Sequence, residues 1–290
     1  MNGTLALFLL VKALTSPGDT LIEVREGDRL ILTDFGGAVY VETWERPLIR
    51  AEVRTKESVP FRIQRSGSSL ELRLTDGDTR GLREELRLVL PPWLNLEVTG
   101  RDLDVEVRDL DGDLMVRNLR GDLSFRNLGG MVEAYTVEGG IEADNLTGSA
   151  RLRTGDDDLW VRSSSATLDL ETVDGEIRME GIDALRVSAR ATEGDIEFSG
   201  RILEGGEYGF FSHGGDIQLS LARQVNLDAT ILAYEGEFQS DYPVKADRYR
   251  SGEGLEFTLG TGGARLVMET FDGEIRLLRV PVGGDRENDH

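Results

Sequence analysis

The 290-residue sequence contains no cysteine. Disulfides, thiolate metal sites, cysteine nucleophiles and a lipid-modified cysteine anchor are therefore excluded. Positive charge is scarce: 33 basic residues face 54 acidic ones, for a formal net charge of -21. Such a balance opposes a sequence-independent grip on nucleic acid or an anionic membrane and favours solubility and cationic partners. Long apolar runs are missing too. The one short run, Leu5 to Val11, stops at Lys12 and a polar Thr15-Ser16-Pro17-Gly18-Asp19 break, far below the ~20 residues that a membrane-crossing helix needs. It reads as a short secretory core over 1–19, although no Lys or Arg precedes it; a buried first strand is the alternative. Proline is missing from the whole stretch between Trp93 and Tyr242. Because proline removes a ladder donor, its absence there fits central, fully hydrogen-bonded strands.

What fills that stretch is a nine-residue period. Leu96, Val105, Leu114, Leu123, Val132, Ile141, Ala150, Leu159, Leu168 and Ile177 are spaced nine apart without a slip. A second small or apolar residue follows each after two positions, from Val98 and Val107 to Leu170 and Met179. A third follows after five in most units, as at Leu110, Leu119, Leu128, Val137, Leu146, Val173 and Ile182. A step of two keeps side chains on one face of a strand, and the further step of three requires a bend before the chain points inward again. A short fixed period marks a solenoid, whose units bury their apolar faces only by stacking on neighbours.

A longer repeat overlies the first. Thr136-Val-Glu-Gly-Gly-Ile141 recurs with starts at Thr172, Ala191, Ser212, Ala233 and Thr270. Its spacing gives turns of about 18–21 residues, so two nine-residue units make one coil with two parallel strands. The expected fold is all-β: a parallel β-solenoid of roughly a dozen coils, about 55–60 Å long at ~4.8 Å per coil. Gly with Asp or Glu would occupy corners where tight or left-handed backbone is wanted. Along the chain this divides into a leader over 1–19, irregular strand-rich opening coils over 20–95, a regular solenoid over 96–280 and a polar acidic tail over 281–290. The divergent first coils and the tail would act as caps.

The string Gly37-Ala-Val-Tyr-Val-Glu-Thr-Trp44, the strand Leu88-Val-Leu-Pro-Pro92 and the six Gly-[Asp/Glu/Gly]-Ile or Phe corners resemble a bacterial family of putative adhesins, a β-strand-repeat domain of unknown function. The resemblance covers nearly the whole chain after the leader. It implies a β-solenoid, commonly on exported or envelope proteins, and brings no catalytic residues.

Several residues invite chemistry. An acidic column, Asp104, Asp122, Gly140, Asp158, Glu176, Asp195, Asp216, Glu237 and Glu274, would stack one residue per coil and could hold Ca²⁺ or Mg²⁺ through oxygen ligands, most densely at Asp156 to Asp158. The structural reading is favoured: the acids suit the corner, with Arg108, Arg126 and Arg162 relieving repulsion, and folding needs no metal. Trp160 and Tyr135 fall on outward positions of opposite sheets, which argues against one sugar-stacking stripe. Tyr208, Phe210 and Phe211 follow Gly205-Gly206, with Tyr234, Tyr242 and Tyr249 further on, and read as local packing. Of the two histidines, His213 lies beside Ser212 and Asp216 and His290 ends the chain. Other copies put Val137, Val173, Thr192, Tyr234 or Phe271 at the place of His213, and sequence neighbours rarely supply triad geometry. The sequence thus points to no catalytic, cofactor or metal residues. It points to a monomeric, non-enzymatic envelope or extracellular surface that meets a protein or glycan on a cell. A polymerising cytoplasmic scaffold like the bactofilins, or a polysaccharide-active β-helix, are the alternatives.

Overall fold

The computed structural model describes residues 19–54, 61–74, 84–245, 248–250 and 254–280. The expected leader, except Asp19, and the whole acidic tail lie outside them. The described residues form twenty-five strands, mostly in parallel pairs, and no helix. The chain divides into two compact units, Met1–Ile141 and Glu142–His290.

In the first unit the nine-residue period becomes two alternating faces. Leu96 pairs with Leu114 and Leu114 with Val132 on one, while Val105 pairs with Leu123 on the other. Each partner lies two periods away, so a coil has two strands. The apolar residues at the first two positions of each period are buried, Leu96, Val98, Val105, Val107, Leu114 and Val116 among them. The unit does not stack in sequence order at its start. The long strand Arg29–Thr43 pairs in parallel with Ser69–Leu74 and Glu84–Leu90 on one side and with Asn95–Arg108 on the other. Antiparallel strands then close the far side: Phe61–Ser66 lies on Ser69–Leu74, Leu48–Arg54 on Glu84–Leu90, and Asp19–Glu23 on Leu48–Arg54.

The second unit repeats the plan. On one face Ala150, Leu168, Val187 and Tyr208 follow one another in register, and on the other Leu159, Ile177, Ile196 and Ile217 do. Beyond them the order of stacking departs from the order of the sequence. Strands Ala264–Thr270 and Ile275–Arg279, the last coil, pair directly with Glu207–Ser212 and Ile217–Leu221. The preceding coil, Leu227–Ala233 with Phe238–Ser240, pairs on their other side. The antiparallel strands Gly254–Leu259 and Arg248–Arg250 cover that coil.

The step of three has two structural meanings. After Val107, Asp109 takes φ +59°, and Asn127, Asn145, Ser163 and Gly181 hold the left-handed region at equivalent places. Asp, Asn and Gly tolerate that region best. The bend returns Leu110, Leu128, Leu146 and Ile182 to the core. At the other corner the residues facing in are Asn118, Thr136, Thr154 and Thr172, all buried and polar. The apolar third position there, Leu119, Val137 and Val173, is only half-buried or exposed, correcting the inward placement expected from the period. The buried hydroxyls are satisfied: Ser212 Oγ donates to the Gly194 carbonyl at 3.0 Å and accepts from Gly215 N–H at 2.9 Å. Thr270 Oγ1 donates to the Gly215 carbonyl at 3.0 Å. This is the role of Ser or Thr three residues before the corner glycine in four of the six copies; Ala191 and Ala233 hold that place in the other two.

The glycines answer to crowding more than to conformation. Gly175, Gly194, Gly215, Gly236 and Gly273 all lie outside the left-handed region. A Cβ on Gly194 would sit 1.8 Å from the Gly175 carbonyl oxygen, and one on Gly236 would sit 1.7 Å from that of Gly273. Only hydrogen fits between stacked corners.

Candidate functional site

The exposed third position of the Ser/Thr-x-x-Gly corner builds a column in the second unit. Val173 carbonyl accepts from Glu193 N–H (2.8 Å), Thr192 from Gly214 (2.8 Å), His213 from Asp272 (2.9 Å) and Phe271 from Glu235 (2.8 Å). The column therefore runs Val173, Thr192, His213, Phe271, Tyr234. His213 and Phe271 lie face to face, ring centroids 5.1 Å apart and planes 15° apart, and Tyr234 tilts against Phe271 at 5.9 Å. Phe271 is 43% and Tyr234 50% exposed. Insertion of the last coil is what places Phe271 between the other two rings.

Two residues earlier, register aligns an outward row: Glu171, Arg190, Phe211 and Glu269. The Arg190 guanidinium lies 5.3 Å from the Phe211 ring centroid and 3.5 Å from Asp169. Between row and column is an open depression of about 480 Å³, floored by Thr172, Ala191 and Ser212. Apolar rings, two carboxylates and a guanidinium thus line one concavity. Such a mixture suits a ligand with both an apolar face and hydrogen-bonding edges.

The other candidates serve the fold. Ser212 faces the core while His213 faces out, so the two do not form a nucleophile–base pair. In the acidic column, Asp104 accepts the N–H of Asp122 (3.1 Å) and Asp122 that of Gly140 (3.0 Å) in the first unit. In the second unit Asp158 accepts from Glu176 (2.9 Å), Asp195 from Asp216 (2.8 Å) and Asp216 from Glu274 (2.8 Å). The five aspartates of the column thus each receive a backbone N–H of the next coil. Asp157 accepts from the N–H of Asp158, and its carbonyl from the Thr172 hydroxyl. Arg178 pairs with Glu176 and Glu197, and Arg276 with Glu274 and Asp216, whereas Arg108 pairs with Glu106 and Arg162 with Glu142. Partial burial pushes the Glu176 carboxyl above its ordinary value, against the pull of Arg178. No group of three or more potential metal-ligating side chains occurs among the described residues.

Trp160 is half-buried between the guanidinium groups of Arg162 (4.9 Å) and Arg178 (5.3 Å). Tyr135 is exposed on Met131–Tyr135 of the first unit. Tyr208 and Phe210 are buried and pack on Phe198, and burial raises the Tyr208 hydroxyl pKa. Tyr242 is buried as well, its hydroxyl donating to the Ala222 carbonyl at 2.6 Å. The side chain of Tyr249 and all of His290 lie outside the described residues. Tyr234 and Phe211, grouped by sequence with packing aromatics, belong to the exposed site. The signal was present in the corner repeat itself, where His213, Tyr234 and Phe271 share one position.

Residues 65–278 match the model of the Toastrack DUF4097 family. The chain belongs to this family. No curated protein matches this Toastrack chain. It is similar to crystal structures of putative adhesins. One is from Parabacteroides distasonis ATCC 8503, with 10% identity, 89% of this chain and 96% of that chain covered, and a TM-score of 0.46. Another is from Bacteroides fragilis NCTC 9343, with 13% identity, 90% and 96% covered, and a TM-score of 0.37. A third is from Parabacteroides merdae ATCC 43184, with 12% identity, 91% and 95% covered, and a TM-score of 0.37. Among the described residues of the Toastrack chain, no helix is long and apolar enough to cross a membrane.

Proposed function

We propose that this chain is a non-enzymatic, exported β-solenoid that works as an adhesin-like binding surface in the envelope or outside the cell, and that its aromatic corner is where it meets a protein or glycan. The observation carrying this reading is the exposed His213–Phe271–Tyr234 stack beside an open depression. Exposed aromatics in contact with one another and flanked by charge are the residue types from which recognition surfaces draw their affinity. Ser212 and the five aspartates of the acidic column, polar groups that could have supported catalysis, are engaged in coil-to-coil hydrogen bonds. In each unit short antiparallel strands lie on parallel ones, which disfavours end-to-end polymerisation because a parallel stack cannot be continued from them in the same pattern.

Adhesion of beads coated with the purified chain to intact cells tests the surface role. The double variant Tyr234→Ala/Phe271→Ala is expected to lose most adhesion while keeping the wild-type melting temperature; equal adhesion by variant and wild type would remove the corner from the reading. Export is tested separately by the mature N-terminus in the native organism. A terminus near residue 19 in an extracytoplasmic fraction supports it, and a full-length cytoplasmic protein contradicts it.

A further inference from the structure

The corner column has one gap, at the end of its aromatic stack. Between Val173 and His213 stands the small side chain of Thr192, exposed and one coil from each. Val173 and His213 are therefore two coil spacings apart, about 9.6 Å. One face of the His213 ring is covered by Phe271, and Thr192 is the neighbour of His213 in the column on the other side. A ring seated over Thr192 would lie about 4.8 Å from each neighbour, within the spacing at which rings stack. Glu171, Arg190 and Thr192 line the depression there.

Resting on the reading of the corner as a binding surface, we propose that this gap is a saccharide seat: one uncharged pyranose ring lies over Thr192 with its apolar face on His213. Its hydroxyls reach Glu171, Arg190 and Thr192. A sugar ring has the required two natures, apolar on one face and hydrogen-bonding at the rim. The charge around the seat selects among sugars. Arg190 already pairs with Asp169 and packs on Phe211, Glu171 pairs with Arg153 at 2.9 Å, Glu269 adds a further acid, and the chain carries a net charge of -21. Uronic and sialic acids are disfavoured by that field, and neutral sugars are not.

Histidine makes the test local, since His213 shares the chain with only one other, His290. The imidazole signals of the full chain are followed by nuclear magnetic resonance while N-acetylglucosamine trimer, cellotriose or galacturonic acid trimer is added. A His290→Ala variant assigns the two rings. The proposal expects His213 to shift with at least one neutral trimer and not with the galacturonate, and Thr192→Trp to weaken that binding by about tenfold or more by filling the seat. The corner accommodates Val, His, Phe and Tyr at this position in the same chain, so a large residue is compatible with folding. Absence of any His213 shift at millimolar neutral trimer, a shift confined to the galacturonate, or binding indifferent to Thr192→Trp would each overturn it. If bead adhesion falls with Tyr234→Ala/Phe271→Ala while no trimer moves His213, the saccharide is wrong and the corner stands. If a neutral trimer moves His213 while adhesion is unchanged, the seat stands and the adhesive role falls.

Discussion

The backbone N–H of Asp272 donates to the carbonyl of His213 at 2.9 Å, so the last coil lies between the coil of His213 and that of Tyr234, its predecessor in sequence. This one contact orders the aromatic column. It also makes the C-terminal strands internal, with Ala264–Thr270 hydrogen-bonded on both sides.

Disulfide trapping distinguishes this order from sequential stacking, and the cysteine-free chain is a clean background. Gln218 is in register with Arg276, and Arg276 with Gln239. Gln218→Cys/Arg276→Cys places its Cα atoms at one strand spacing, within disulfide reach, whereas Gln218→Cys/Gln239→Cys spans two spacings, beyond the ~7 Å limit. The first pair is expected to oxidise readily and the second to remain reduced, as read by the mass of the intact protein. The reverse result would restore sequential order.

Much of this architecture was legible because the period of nine is a direct image of two-strand coils. Leu96, Leu114 and Val132 pair as their spacing requires. The insertion was not legible, because the strings starting at Ala233 and Thr270 are near copies and either could stack on Ser212–Ile217; only long-range pairing decides. The candidate site was hidden for a related reason. His213, Phe271 and Tyr234 looked like interchangeable corner residues, and their contact depends on an outward direction that an apolar third position does not announce. Crowding at Gly194 is likewise a property of the neighbouring coil, Gly175, and not of its own backbone.

That crowding is testable by comparing two glycines of the second unit. Gly205 has φ +71° and nothing within 4 Å of an added Cβ, so Gly205→Ala meets only left-handed strain of about 1–2 kcal/mol. Gly194→Ala forces a methyl group against the Gly175 carbonyl and is expected to cost about 3 kcal/mol or more. Urea unfolding should show Gly194→Ala as the less stable variant. If Gly205→Ala is the worse of the two, conformation and not stacking explains the corner glycines.

Ser212→Ala removes a hydroxyl that both donates and accepts, leaving Gly215 N–H without that acceptor. The expected loss is about 2 kcal/mol in urea unfolding. A neutral effect would mean that the hydroxyl is free for other work and would reopen the nucleophile reading.

Asp228, on strand Leu227–Ala233, ties that coil to the covering strand Gly254–Leu259 and to the start of the inserted coil: its carboxylate accepts from the Thr258 hydroxyl (2.8 Å) and from Gly263 N–H (3.1 Å). Those two bonds hold its pKa below the ordinary carboxylate value, the Thr258 hydroxyl most. A pKa lowered in the folded state means that the unfolded chain binds the proton more tightly. The stabilisation is therefore fully present above the unfolded carboxylate pKa and lost as pH falls through the lower folded value. Melting temperatures of wild type and Asp228→Ala should differ at neutral pH and converge on acidification through the carboxylate range. A gap that stays constant would assign the effect to the Ala side chain and not to the charge, and one that widens at low pH would contradict the direction of the shift.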